Sequence, residues 1–386
     1  MSGREALLLI LGWKAATFVV ALLAAGLLDP QYAFPERYDA TLGDAWSRLE
    51  MALRMNWDGH HYQTLADVGY GPFPSLNAFQ PLYPLLIRQA NHVFGDSLVS
   101  GLVIANVASA AGLWLFYRYV RERYSPRTAG TALVLFLAFP TAFFLNLVYT
   151  EGLFLLLSVA VLWGLASRRA VPLLVAAGAA FLLPALRYVG VFIVAPMAVS
   201  LLGEGVVWGR SLPRQVIANM LRPRTLLLAA PLLGLAVYLL YMDAQVGDAL
   251  AGFRAQEEFI GHKDVKYLLQ PGRFLSDLFR SDLLLHDYVR SLLDRGFFLW
   301  FVASLPLLWR RVDKPLFVFC ALLGLVPLLG TFMSYLRYLM PAFGLYIAYG
   351  GWLEEKSAGL LWGVVLAMAL VQALLLSLFV MNHWVA

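Results

Sequence analysis

The sequence predicts an all-α protein that crosses a membrane many times, and three observations carry that prediction: an apolar composition, a series of long apolar segments, and arginine-rich turns at every second connection. Of 386 residues, 61% are hydrophobic and only 14% charged, where a soluble domain carries about a quarter charged residues. A water-soluble globule is excluded. Apolar segments lie at about 7–28, 98–117, 129–148, 152–167, 171–186, 188–202, 225–243, 296–309, 315–333, 338–353 and 358–380. Several reach or approach the ~20 residues that a helix needs to cross about 30 Å of hydrocarbon. A transmembrane β-barrel is excluded as well, because stretches such as 133–138 and 153–162 are apolar at every position instead of alternating.

The first segment has a basic start, is long, and ends in Asp29-Pro30 without a small-x-small cleavage pattern, so it reads as a retained span that also serves as the signal. With its N-terminus inside, every second short loop should be basic. The loops hold Arg118, Arg121, Arg123 and Arg127; Arg168 and Arg169; Arg210, Arg214, Arg222 and Arg224; and Arg310, Arg311 and Lys314. The reading is therefore one integral membrane domain, 1–386, of about eleven spans. Two long loops, 29–97 and 244–295, and the tail Asn382-His383-Trp384 fall on the opposite side. The net charge of +5 is explained by these turns, and no nucleic-acid partner is expected, because the basic residues do not line one face. The one cysteine, Cys320, lies in an apolar run and offers neither a disulfide nor a thiol metal site.

The stretch 171–202 is broken by Pro184 and Arg187. Reading it as one span would put the later basic loops outside, so two half-length spans meeting near Arg187 are expected. Three short apolar hairpins then turn at Tyr149-Thr150-Glu151-Gly152, Arg187-Tyr188 and Ser334-Tyr335-Leu336-Arg337. Segments of about 16 residues rise only about 24 Å, less than the hydrocarbon thickness, so the turns should sit below the outer surface. Charged, non-helical backbone at that depth is tolerated where it lines a protein-walled cavity. The turns point to a shared pocket.

In the first outer loop, Trp46, Leu49 and Leu53 oppose Asp44, Arg48 and Arg54 at helical spacing, the pattern of an interfacial helix. Trp57-Asp58-Gly59-His60-His61-Tyr62 follows. A helix starting there would set Asp58, His61, Tyr62 and Leu65 on one face. The plain alternative makes Asp58 an N-cap and His61 an interfacial polar residue. Next, Ala78-Phe79-Gln80-Pro81-Leu82-Tyr83-Pro84 leads through Arg88 toward the second span. Its prolines set a rigid approach, and Arg88 either snorkels or holds a phosphate.

Glu151, Arg187 and Arg337 lie between apolar segments with little polar company. They form either a structural ion pair or, through the arginine forks, a clamp on phosphate. The second outer loop, from Gln245 through Asp248 to Gln256 and on to Arg295, has the polarity of a lid or acceptor platform. No cofactor is called for. Asp58 and His61 at i, i+3 could both reach a divalent ion, but no second acidic pair completes a magnesium or manganese shell, so no metal is indicated. P-loop, dinucleotide, zinc and Gly-x-Ser-x-Gly patterns do not occur.

These residues resemble the PIG-V-type mannosyltransferases of glycosylphosphatidylinositol assembly and their prokaryotic relatives, within the GT-C class of membrane glycosyltransferases. The similarity runs through Trp57-Asp58-Gly59-His60-His61-Tyr62, Gly69-Tyr70 and Ala78-Phe79-Gln80-Pro81-Leu82-Tyr83-Pro84. It continues in Pro140, Tyr149-Thr150-Glu151, Arg187 with Gly190, Gly247-Asp248, and Arg337-Tyr338 with Pro341. Relatives often have a second phenylalanine where this chain has Gln80. The resemblance implies a GT-C fold, an extracytoplasmic active site, a polyprenyl-phosphate sugar as donor and a first-loop aspartate, here Asp58, as catalytic base. It also implies a lipid or glycan acceptor and a surrounding of membrane lipids.

Inverting displacement needs one base to take the proton of the attacking hydroxyl. Phosphate leaves without the protonated acid that glycoside hydrolysis uses, and a cation stabilises the charge it gathers. Arg187 and Arg337, with His61 and Arg88, are the expected phosphate ligands; Glu151, Tyr62, Gln80, Tyr83, Tyr149 and Asp248 are expected around the sugar or acceptor. The rival class is a transporter or flippase of lipid-linked sugars, which would put ionisable residues near the midplane within inverted repeats. A third reading is a non-catalytic subunit that binds the sugar lipid. The Arg- and Ala/Leu-rich character favours a prokaryotic plasma membrane.

Overall fold

The structure is a computed structural model that describes residues 1–28, 43–167, 169–205, 212–258 and 264–385. Asp29-Pro30, Arg168 and Arg210 lie outside the described residues. Among those described, every regular element is helical, and the single extended pairing is an isolated bridge between Leu284 and Ser291. In chain order the helices are α1 (Gly3–Leu27), α2 (Ala45–Met55), α3 (Asp58–Val68), α4 (Leu82–Phe94), α5 (Ser97–Arg123), α6 (Pro126–Ala138), α7 (Glu151–Ser167), α8 (Ala170–Leu186) and α9 (Val194–Leu202). They continue as α10 (Leu212–Met220), α11 (Ala229–Val246), α12 (Ala251–Glu258), α13 (Pro271–Leu278), α14 (Leu292–Arg311), α15 (Lys314–Gly324), α16 (Tyr335–Leu339), α17 (Gly344–Leu353) and α18 (Ala358–Val380).

Five of these, α1, α5, α11 with its preceding turn, α14 and α18, are long and apolar enough to cross a membrane. The others are shorter. Their ends follow local chemistry: Ser2 and Glu5 form a capping box on α1, and Asp96, Ser125, Asp313 and Ser357 cap α5, α6, α15 and α18 through their side chains. α7 is mostly buried and lies between α5 and α8. A Cβ on Gly152 would stand 2.7 Å from the Ala105 carbonyl oxygen, and one on Gly164 2.2 Å from that of Pro172. Glycine at both positions lets the backbones touch, as small residues do between membrane helices.

The expected alternation of ends has a structural counterpart. Tyr288 and Asp313 flank opposite ends of α14. Arg123 pairs with Asp313 at 2.9 Å, so two basic turns meet at one end of the bundle. At the other end Trp57, Tyr288 and Trp384 pack ring on ring, joining the first loop, the second loop and the C-terminal tail.

Two apolar stretches depart from the expected continuous helices. The segment 129–148 is helical only to Ala138, then turns at Pro140 into a 3-10 stretch at Ala142–Asn146. The segment 315–333 ends its α-helix at Gly324, and α17 begins only at Gly344. Pro327, Gly330 and Pro341 break the ladder there. The freed carbonyls are met by side chains. Gln372 donates to Leu137 and Phe139 (2.9 and 2.6 Å), Tyr335 to Gly324 (2.9 Å) and Tyr346 to Met340 (2.9 Å). Under the first stretch, the Lys14 ammonium donates to Asn106 Oδ1 (3.0 Å), Ser109 Oγ (2.7 Å) and Asn146 Oδ1 (2.7 Å). Ser109 in turn donates to the Leu145 carbonyl. Irregular backbone at membrane depth survives when protein satisfies it in this way.

Candidate active site

Four charged side chains from distant parts of the chain meet in one narrow cleft of about 60 Å³. Asp58 is the first residue of α3. Trp57 before it has a left-handed backbone (φ 56°) and makes no side-chain cap, and its ring is held by Tyr288 and Trp384 at 5.7 and 5.0 Å. That strained step turns the helix start, and with it Asp58, into the cleft. The N-cap reading of Asp58 is thereby corrected: its carboxylate points away from its own helix and pairs with Arg337 Nη2 at 2.8 Å.

Glu151 opens α7 where the irregular stretch ends. Arg187 stands at the end of α8 in extended backbone (φ −150°), so the chain breaks where charge counting expected two half-length spans. Arg337 lies in α16. Glu151 Oε1 receives Arg187 Nη1 at 3.1 Å and lies 3.4 Å from Arg337 Nε. All three are almost fully buried. The Arg187 guanidinium also lies over the Tyr338 ring, and that of Arg337 over Tyr149 and Phe144.

The four formal charges cancel, yet the network is not saturated. Glu151 Oε2, Arg337 Nε and Nη1, Ser334 Oγ and the Tyr188 hydroxyl are buried without a hydrogen-bond partner. Buried polar atoms are ordinarily bonded, so this concentration marks a place with unused capacity for a polar ligand. The donor set is two guanidinium forks, which suit a phosphate. No group of three or more His, Cys, Asp or Glu with metal-binding geometry occurs among the described residues.

Of the expected site residues, Asp58, Tyr62, Gln80, Glu151, Arg187 and Arg337 line the cleft. Tyr62 is buried, and burial pushes its phenol well above the usual tyrosine range. Tyr149 sits behind Arg337 as a ring support. Four others are drawn elsewhere. His61 shares α3 with Asp58 but packs on the Phe79 ring, centroids 5.1 Å apart. Arg88 caps the end of α3, donating to the carbonyls of Ala66 (2.7 Å) and Leu65 (3.1 Å). It belongs to α4, a separate helix ended by Gly95, and not to the start of the second span. Tyr83 is buried with its hydroxyl on the Gly101 carbonyl at 2.8 Å. Asp248 pairs with Arg254 and caps the Leu250 amide.

The cleft also includes Thr150, Tyr188, Ser334, Tyr338 and Gln256. The first four adjoin residues already singled out. Gln256, from α12 in the second loop, fixes itself by donating to the Ala78 carbonyl at 2.7 Å. Its only sequence signal was its place in a polar loop.

The helical membrane bundle has the GT-C fold. The solved structure of ArnT from Cupriavidus metallidurans bound to undecaprenyl phosphate superimposes with a TM-score of 0.51 at 12% identity, covering 95% of this chain and 64% of that one. Its apo state gives 0.50 at the same identity and coverage. The apo oligosaccharyltransferase of Archaeoglobus fulgidus gives 0.47 at 14% identity, covering 97% of this chain and 56% of that one. The chain thus spans less than two thirds of the length of these proteins. Residues 6–192 match the family Mannosyltransferase (PIG-V), which bears out the resemblance over the motifs from Trp57 to Gly190; Gly247-Asp248, Arg337-Tyr338 and Pro341 lie beyond the match. A search of curated protein sequences returned no match.

Proposed function

We propose that this chain is an inverting membrane glycosyltransferase. It moves a sugar, mannose on the family resemblance, from a polyprenyl-phosphate donor to a hydroxyl of a lipid or glycan acceptor. The single observation that carries the reading is the pairing of the Asp58 carboxylate with Arg337, a buried and incompletely bonded arginine that shares Glu151 with the buried Arg187. The PIG-V match over 6–192 supports it, and ArnT, of like fold, is solved with undecaprenyl phosphate. The positive-inside pattern supports an extracytoplasmic cleft, and the Arg- and Ala/Leu-rich composition supports a prokaryotic plasma membrane.

Arg187 and Arg337 take the donor phosphate. As the phosphate engages Arg337, it competes with Asp58 for the guanidinium and frees Oδ2. Asp58 then accepts the proton of the acceptor hydroxyl while its oxygen bonds to the anomeric carbon, and the bond from that carbon to the phosphate oxygen breaks with its electron pair. The negative charge that develops falls on an oxygen already between two fixed cations, which favours the transition state over the ground state. Tyr62, Gln80, Glu151 and Gln256 form the wall that meets the sugar.

The test is transfer of label from radiolabelled polyprenyl-phosphate-mannose to a lipid and glycan extract of the source cells, with wild type and Asp58→Asn side by side. Wild type should form product and the variant should lose 10²- to 10⁴-fold in rate, the range for removing a general base. Full activity in Asp58→Asn would sink the assignment. If both bind donor and neither transfers, the chain is a binding subunit; label carried across a vesicle membrane unchanged would make it a flippase.

A further inference from the structure

Arg337 sits on a helix of five residues that starts from a left-handed Ser334 (φ 58°). One turn of helix does not hold itself in place, so its position depends on outside ties. Leu336, the residue just before Arg337, has two through its backbone. The Leu336 carbonyl accepts Thr141 Oγ1 at 3.1 Å, and the Leu336 amide donates to Asp294 Oδ1 at 2.9 Å.

Asp294 lies in the first turn of α14 with no solvent exposure. Ser291 Oγ accepts its amide at 3.0 Å and shares a hydrogen bond with His286 Nδ1 at 2.9 Å. That imidazole nitrogen stands 3.8 Å from Asp294 Oδ2, which has no hydrogen-bond partner of its own. The neighbouring Arg295 does not neutralise it by contact. Its guanidinium is committed to Asp277 and to the carbonyls of Ser291 and Val289. A fully buried carboxylate with one oxygen unbonded is a poor choice for stability alone. What it does is reach across from the second outer loop to the turn that carries Arg337.

We propose that Asp294 is a positioning residue: its Oδ1, bonded to the Leu336 amide, holds Arg337 where the donor phosphate meets it. The proposal rests on the reading of Arg337 as a phosphate ligand. The side chain acts through a single acceptor atom, so Asp294→Asn, which keeps Oδ1, should preserve it, and Asp294→Ala should not.

The experiment measures the Kd of the full chain in lipid nanodiscs for undecaprenyl phosphate, with wild type, D294A, D294N, R337A and D294A/R337A. An affinity is read per folded molecule, so partial misfolding lowers the signal and leaves Kd unchanged. D294A should weaken binding about tenfold, the scale of a lost buried hydrogen bond. D294N should stay within about threefold, and the double variant should bind no more weakly than R337A, because both remove the same contact. Wild-type affinity in D294A, an equal loss in D294N, or additive losses in the double variant would overturn the positioning role with Arg337 still a ligand. Wild-type affinity in R337A would remove the phosphate reading itself, and this inference with it.

Discussion

The cleft and the second outer loop use the same residue types to opposite ends. In the loop, Arg280 pairs with Asp282 at 2.5 Å, Arg290 with Asp287 at 2.8 Å, and Lys266 with Asp264. Each partner is two or three residues away and in contact with solvent. In the cleft, Asp58, Glu151, Arg187 and Arg337 come from four broken or newly started helices, are almost entirely dehydrated except for Asp58, and leave donors and acceptors unpaired. Local sequence alone can make a loop pair, and water completes it. Only the whole fold can make the cleft, and its unpaired atoms give it capacity for chemistry.

Removing a carboxylate from the cleft should therefore have the largest effect on the folded protein. Glu151→Ala leaves two buried guanidinium groups without their shared partner, a loss of about 3–5 kcal/mol for a broken buried pair. The apparent melting temperature in nanodiscs should fall well below that of any loop variant. An unchanged melting temperature would mean that water already solvates the cleft, and the contrast would dissolve.

Lys14 tests whether the cleft depends on what lies behind it. Its ammonium ties Asn106, Ser109 and Asn146 beneath the turn that leads to Tyr149-Thr150-Glu151. Lys14→Met should cost about 1–3 kcal/mol through unsatisfied buried acceptors and slow sugar transfer as well, although the side chain does not line the cleft. Lowered stability at an undiminished turnover per folded molecule would show that the turn holds its shape unaided.

Much of this was legible in the sequence, and the missing parts share a physical cause. Apolar runs, basic turns and the break at Arg187 could be read because each is a local or compositional signal. Glu151, Arg187 and Arg337 could be chosen because charge between apolar segments demands a reason, and Asp58 from the helix face and motif it shares with His61 and Tyr62. The bending of 139–150 and 325–343 was hidden, since apolar composition is the same in a helix and in a broken one. Lys14, Gln372 and Asp294 were hidden for the converse reason: a lone polar residue in a span does not announce which backbone group it serves. His61 and Arg88 stand outside the cleft lining because sequence spacing fixes a helix face but not the direction in which a long or planar side chain leaves it.

On the loop side the expected effects are small. Arg290→Ala removes an exposed i, i+3 pair and should change stability by about 0–1 kcal/mol. Its melting temperature should stay close to that of wild type, and a fall comparable to Glu151→Ala would erase the distinction drawn between the two regions.

The smallest effect concerns pH. The Lys266 side chain and amide hold the Asp264 carboxyl below the usual aspartate range, and Asp264 raises Lys266. A depressed carboxyl contributes stability above its unfolded value, near 3.9, and loses it as pH falls through the folded value. A raised lysine contributes below about 10.4 and loses that as pH rises through its folded value. Between about pH 5 and 9 both contributions are complete, so the pair adds no slope to stability in that window. Melting temperatures of wild type and Lys266→Ala should run parallel from pH 5 to 9, and any gap should narrow as salt screens a pair in contact with solvent. A gap that opens within that window would show Asp264 coupled to a third titrating group, and the loop would then share the cleft's kind of linkage.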